Sequence, residues 1–171
     1  VLSAANTYGG TTTVSEGTLS VTKAGALGSS RVVVEKGATL KFNTDADYTV
    51  GNTLVIDGNI TKLGEGTVVL SAANTHGGTT TVSEGTLRIV HKDALGGSAV
   101  EVRKDATLEF STGGNYSLGA TMDVYGALVA DGAGRMDIGA SGTMTLHDGA
   151  TVSRTNEKSG WIQGVLAVAA G

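Results

Sequence analysis

Leu19, Val21, Val32, Val34, Leu40 and Phe42 are apolar, and sixty-eight residues on they return as Leu87, Ile89, Val100, Val102, Leu108 and Phe110. The residues between and beside them do not keep their character. Ser20 becomes Arg88, Val33 becomes Glu101, Glu35 becomes Arg103 and Lys41 becomes Glu109. Positions that stay apolar therefore alternate with positions that change, even in charge sign. Side chains on a strand point to opposite faces in turn, so this period of two marks strands with one buried and one free face. A helical period of 3.6 would not separate the two sets.

The pattern predicts strands at 11–14, 18–22, 31–35, 39–43, 53–57 and 67–71, then at 79–82, 86–90, 100–103, 107–111, 121–125 and 128–130. A third group falls at 142–146, 150–154 and 161–168. Turn signals such as Gly9-Gly10, Glu16-Gly17, Lys36-Gly37, Gly77-Gly78 and Asp148-Gly149 stand between them. No long window carries an amphipathic helix. The predicted interior holds Leu19, Val32, Val34, Leu40, Phe42, Leu54, Ile56, Val68 and Leu70, with Leu87, Val100, Val102, Leu108, Phe110 and Val124.

The strands sit within an internal repeat. VLSAANTYGGTTTVSEGTL, starting at Val1, recurs from Val69 with a single change, Tyr8 to His76. Beyond this block the offset persists without gaps: Ala26-Leu27-Gly28 returns as Ala94-Leu95-Gly96, and Tyr48 as Tyr116. A gapless repeat of short strands predicts stacked, quasi-one-dimensional architecture. Divided into three coils of about 22 or 23 residues, the unit suits a parallel β-helix of about seven or eight coils; a propeller blade needs four strands in ~40–45 residues. The two copies are expected to superpose coil for coil. The expected organisation is one all-β segment over 1–171, with repeats 1–68 and 69–136 and a divergent tail 137–171. Because Val1 falls inside a repeat, the chain reads as a piece of a longer protein.

Composition narrows the functions. The chain has 171 residues, 27 Gly, no Pro and no Cys, and 40% of it is hydrophobic. That is too apolar for a disordered linker, and the absence of Cys excludes a disulfide scaffold. The net charge of −4, with Lys and Arg dispersed, argues against a nucleic-acid partner. The longest apolar run, 165–170, is far short of the roughly 20 residues of a membrane span, so this segment is not expected to insert directly.

Candidate chemistry is sparse. Gly139-Ala140-Ser141-Gly142 has the outline of a nucleophile loop, but a triad needs a His and an acid converging on the Ser; a structural turn is favoured. His76, His91 and His147 lack metal-ligand spacing. Position 8/76 accepts Tyr or His, which places it on a solvent-facing turn. Asp45, Asp47, Asp123, Asp131 and Asp137 could supply a Ca²⁺ site or a sugar-cleaving acid pair. Asp45 and Asp47 are not kept in the second copy, however, where Gly113 and Asn115 stand, and a solvated loop is favoured. Asn6 and Asn74, with Thr11–Thr13 and Thr79–Thr81, could form outward rows that bond to another chain, or simply turns tolerant of positive φ. Asn59-Ile60-Thr61 and Asn115-Tyr116-Ser117 are glycosylation sequons by pattern. The expectation is no catalytic, cofactor-binding or metal-binding residue.

Residues 64–89, GEGTVVLSAANTHGGTTTVSEGTLRI, resemble the passenger-associated transport repeat of Gram-negative autotransporters, and 1–21 match it in part. The resemblance implies a right-handed parallel β-helix passenger, carried across the outer membrane to the bacterial surface or secreted. It implies a non-catalytic stalk of an adhesin supporting display, adhesion or self-association, with a host surface, host matrix or sister molecules as partners. A β-helix carbohydrate-active enzyme and a scaffold needed only for folding and secretion are the alternatives.

Overall fold

The computed structural model describes residues 1–132, 134–138, 142–155, 162–163 and 166–168. In chain order its strands are β1 (Thr11–Val14), β2 (Thr18–Val21), β3 (Arg31–Val34), β4 (Thr39–Asn43), β5 (Tyr48–Val50), β6 (Leu54–Ile56) and β7 (Asn59–Leu63). There follow β8 (Thr67–Leu70), β9 (Thr75–His76), β10 (Thr79–Val82), β11 (Thr86–Ile89), β12 (Ala99–Val102), β13 (Thr107–Phe110) and β14 (Tyr116–Leu118). The last are β15 (Thr121–Val124), β16 (Ala127–Ala130), β17 (Met136–Ile138), β18 (Thr143–Leu146), β19 (Thr151–Arg154), β20 (Ile162–Gln163) and β21 (Leu166–Val168).

Strands this short cannot satisfy their own backbone groups, so each pairs with the strand one coil away. Every pairing among them is parallel. The stacks form an eight-stranded sheet (β2-β4-β7-β10-β12-β15-β18-β21) and a six-stranded sheet (β5-β8-β11-β13-β16-β19). A four-stranded sheet (β1-β3-β6-β9) and a three-stranded sheet (β14-β17-β20) complete the set. From β4 on, the chain visits the eight-, six- and four-stranded sheets in turn. From β14 the three-stranded sheet takes the third place in that path. The eight rungs of the largest sheet describe a β-solenoid of about seven turns.

Inside and outside follow the alternation. Val32, Val34, Leu40, Phe42, Leu54, Ile56, Val68, Leu70, Leu87, Val102, Leu108 and Val124 are fully enclosed, while Val33 and Lys41 face outward and are half-buried. Leu19 is only partly buried, because β2 is the edge of its sheet and has only the isolated Leu2–Val21 bridge on its open side. Phe42 meets Tyr48 edge-on with ring centroids 6.0 Å apart, and Phe110 meets Tyr116 at 4.6 Å in the second copy. The drifting outward positions have become partners: Arg88 Nε lies 3.0 Å from Glu109 Oε1, and Arg103 Nε 3.3 Å from Glu101 Oε1.

The coil is tighter than 22 or 23 residues. Along the eight-stranded sheet Leu19 pairs with Leu40, Leu40 with Ile60 and Ile60 with Thr80, so three coils use 61 residues. The remaining seven residues of the repeat turn the chain through one further face. Each strand of the second copy therefore lies on a different sheet from its counterpart: β2 belongs to the eight-stranded sheet and β11 to the six-stranded one. Likewise β3 is four-stranded and β12 eight-stranded. The copies are related by a screw of three coils and one face. Interior positions still correspond, because all faces share one core.

Five strands were not expected: β5, β7, β9, β14 and β17. They are short or interrupted by polar residues, and pairing with a neighbouring coil rather than local pattern makes them strands. The single strand expected at 161–168 is instead two, β20 and β21. At 23–30 and 91–98, where no strand was expected, the chain makes tight turns.

Phe110 is 4% exposed and packed on Tyr116. Phe110→Ala should cost about 3–5 kcal/mol in chemical denaturation. Because coils contact mainly their neighbours, hydrogen exchange should quicken around 100–125 and stay slow at Val32 and Val34. Uniform quickening would instead show a single cooperative unit.

Candidate functional site

The repeated block builds one local junction twice. Asn6 Nδ2 donates to Ala26 O at 2.7 Å, and Asn74 Nδ2 to Ala94 O at 2.8 Å. Above each Asn lies a turn whose Ala and Leu (Ala26-Leu27, Ala94-Leu95) are fully buried. A serine closes each turn: Ser30 Oγ donates to Leu27 O at 2.8 Å, and Ser98 Oγ to Leu95 O at 2.9 Å. The middle Thr of each triplet joins that serine, Thr12 at 3.0 Å and Thr80 at 3.2 Å. Gly28 and Gly96 take φ of +55° and +53°, and a Cβ would stand 2.3 Å from Tyr8 O or 2.6 Å from His76 N. No other residue fits there.

Asn6 and Asn74 thus bond within their own chain. Asn74 also accepts from Leu54 N at 2.9 Å, so one side chain ties the coil below to the coil above. Of the threonine triplets, Thr11 and Thr13 are exposed, Thr79 and Thr81 half-buried, and Thr80 buried.

Position 76 corrects the solvent-facing turn. His76 is 2% exposed, whereas Tyr8 is 38% exposed. The physical reason is stacking: β9 pairs with β6, so His76 lies against Ile56, while residue 8 has no strand beside it. Burial lowers the His76 pKa, opposed by the Ile56 carbonyl. Burial also raises the phenols of Tyr48 and Tyr116.

Lys62 was not anticipated in the interior. It pairs with Phe42 in register, and its Nζ donates to Leu63 O at 2.9 Å, Gly64 O at 2.6 Å and Glu84 O at 3.2 Å. Burial lowers its pKa, and Glu84 and Asp45 oppose that. The legible signal was parity: Lys62 shares the inward face with Ile60.

The five candidate carboxylates are dispersed, and each has a partner. Asp45 Oδ1 accepts from Glu65 N at 3.1 Å, Asp47 Oδ1 from Thr67 N at 3.0 Å, and Glu84 Oε2 from Gly64 N at 2.9 Å. Asn59 and Asn115, the two sequon asparagines, do the same for Thr79 N and Arg135 N. Each bond spans one coil of twenty residues, so at the corners these side chains stand in for the missing strand ladder. Asp123 Oδ1 lies 3.0 Å from His147 Nε2, and that ring stacks on Tyr125 at 3.8 Å. Asp131 accepts from the Thr155 hydroxyl, and Asp137 lies 3.9 Å from Arg135. His91 Nδ1 accepts from Asp93 N. Among the described residues no three or more His, Cys, Asp or Glu are grouped to hold a metal ion. Gly139, Ala140 and Ser141 lie outside the described residues.

Two outward rows remain. One runs Lys41, Thr61, Thr81, Glu101, Asp123, Thr145 across the eight-stranded sheet. The other runs Thr67, Thr86, Thr107, Ala127, Thr151 across the six-stranded sheet. Parallel strands hold such rows at roughly 4.8 Å spacing.

Asn74→Ala removes two inter-coil bonds and should cost about 1–3 kcal/mol in urea denaturation. Asn6→Ala should cost less, since no amide from a coil below is seated on its side-chain oxygen. Equal costs would show that the lower bond contributes nothing.

No curated protein and no solved structure matches the chain. The junction residues and the strands around them are the ones that carry a family match, at 1–21 and 60–89. Those two stretches match the model of the passenger-associated-transport-repeat, a repeat found in autotransporter passenger domains.

Proposed function

We propose that this segment is a non-catalytic stalk of an autotransporter adhesin, displayed at the bacterial surface or secreted through the outer membrane. The observation that carries the reading is the occurrence of two passenger-associated-transport-repeats on a continuous parallel solenoid. Such a stack is suited to extending whatever it bears, because each coil adds length and contacts only its neighbours. The candidate acids Asp45 and Asp47 support the same reading, since both accept from backbone amides one coil away.

The outward hydroxyl rows are the surface through which the stalk engages a host surface, host matrix or a sister molecule. Their half-buried, regularly spaced Thr groups leave donors and acceptors facing out without exposing a large apolar patch.

Bacteria displaying a passenger that carries this segment should clump or adhere to host matrix. Thr61→Lys with Thr81→Lys should abolish this while leaving the melting temperature within a few degrees. Adhesion unchanged by the pair would remove the rows from the function. Loss of surface display on deleting the segment, with no adhesion attributable to it, would leave a scaffold for folding and secretion.

A further inference from the structure

His76 is the one residue that differs between the two copies of the nineteen-residue block, and its surroundings form a chain of polar contacts. Nδ1 lies 3.2 Å from Ile56 O and 3.3 Å from Gly78 N, and Nε2 lies 2.9 Å from Thr80 Oγ1. Thr80 Oγ1 is 3.2 Å from Ser98 Oγ, which is 2.9 Å from Leu95 O. Ile56 O is an acceptor only and Gly78 N a donor only, so the two make opposite demands on Nδ1.

Counting protons resolves the conflict. With the proton on Nδ1, Nδ1–H donates to Ile56 O and Thr80 donates to Nε2. Ser98 still donates to Leu95 O, so the Thr80–Ser98 contact holds no proton and the Gly78 amide faces another donor. With the proton on Nε2, every link from Gly78 to Leu95 is filled in one direction, and only the Nδ1···Ile56 O contact is left without a proton. Gly78 N–H donates to Nδ1, Nε2–H to Thr80, Thr80 O–H to Ser98 and Ser98 O–H to Leu95 O. Ile56 O loses nothing essential, because Gly77 N already donates to it at 2.9 Å. The first copy shows the short form of the chain: Thr12 donates to Ser30 and Ser30 to Leu27 O, with Tyr8 outside it and donating to Ala26 O.

We propose that His76 is a proton-sensitive latch: neutral and protonated on Nε2, it completes a one-way relay that runs from the Gly78 amide through β10 to the 91–98 turn, and a second proton removes its first link, the one from Gly78. That proton must go to Nδ1, where it expels the Gly78 amide. The new Nδ1–H already faces Ile56 O at 3.2 Å, Nε2–H still donates to Thr80, and the link from Gly78 is lost.

The latch lies where the four-stranded sheet ends at β9 and the 91–98 turn takes over. Charged and titratable groups on the elements packed against it are few. Asp57 follows β6 and is exposed; Glu84 follows β10 and is exposed. On the turn, Lys92 and Asp93 are exposed and ion-paired at 2.6 Å, and His91 is half-buried. The buried ring therefore has no counter-ion of its own. Burial accordingly lowers its pKa below the ordinary 6.5. A depressed pKa means that the unfolded chain binds the proton more readily than the fold. Stability from this group is complete above pH 6.5 and is lost as the pH falls from there through the folded pKa.

Long-range ¹H–¹⁵N NMR of the whole chain reads the ring directly. The expected pattern at pH 7.5 is the Nε2–H tautomer, with a titration midpoint below 6.5 and an unprotected Gly78 amide once the ring is charged. An Nδ1–H tautomer, or a midpoint at or above 6.5, overturns the latch. Thr80→Val removes the acceptor of Nε2–H and should shift the ring to the Nδ1–H tautomer; an unchanged tautomer also overturns it. His76→Tyr, the residue of the first copy, should flatten the loss of urea midpoint between pH 7.5 and 5.0, whereas His91→Gln should not. If His76→Tyr does not fold, the tautomer and midpoint in the wild-type chain decide alone.

Discussion

The fold rests on hydrogen bonds between successive coils. Strands of two to five residues have no stability of their own, and each backbone amide finds its carbonyl about twenty residues away in the coil above or below. Everything else serves that ladder. The interior must be uniformly filled so that coils stay level, and the corners must not leave amides bare. Where the ladder breaks, a carboxylate or carboxamide one coil away takes the amide, as Asp45, Asp47, Asn59, Asn74, Glu84 and Asn115 do. The same geometry that could have suggested an acid cluster is the structural solution to the corner.

The repeat and the coil do not share a period. Sixty-eight residues make three coils and one face, so a sequence copied almost without change is laid on a different side of the solenoid. It can be, because the inward positions of all faces meet one core and the outward positions carry little constraint. Arg88 and Glu109 illustrate this freedom: their counterparts Ser20 and Lys41 face each other in register on another sheet, and the charged pair replaces them. A near-identical block can thus acquire different surroundings, as Tyr8 and His76 have.

Those surroundings set the chemistry. The polar interior of the junction is closed by side chains that bond to carbonyls and to one another. Lys62 follows the same rule, its ammonium ringed by three carbonyls. A stalk built on stacked repeats is consistent with such self-contained polar groups.

Much of this was legible in the residues alone. Period-two alternation, checked against a second copy, identified most strands, and every position it placed inside from Val32 to Val124 is buried, although residues such as Tyr48, Ile60, Val82 and Tyr116 joined that interior unannounced. The near-identical blocks also carried the family likeness. The coil length was not legible, because in-register pairing depends on how few residues each corner uses, and that is set between coils. The five short strands and the inward Lys62 share this origin. The fate of residue 76 is the plainest case. Its letter and its neighbours are those of an exposed turn, yet the strand stacked beside it removes the water. Sequence determined which side chains could face inward; only the stacking of coils decided which were enclosed and what each had to bond to.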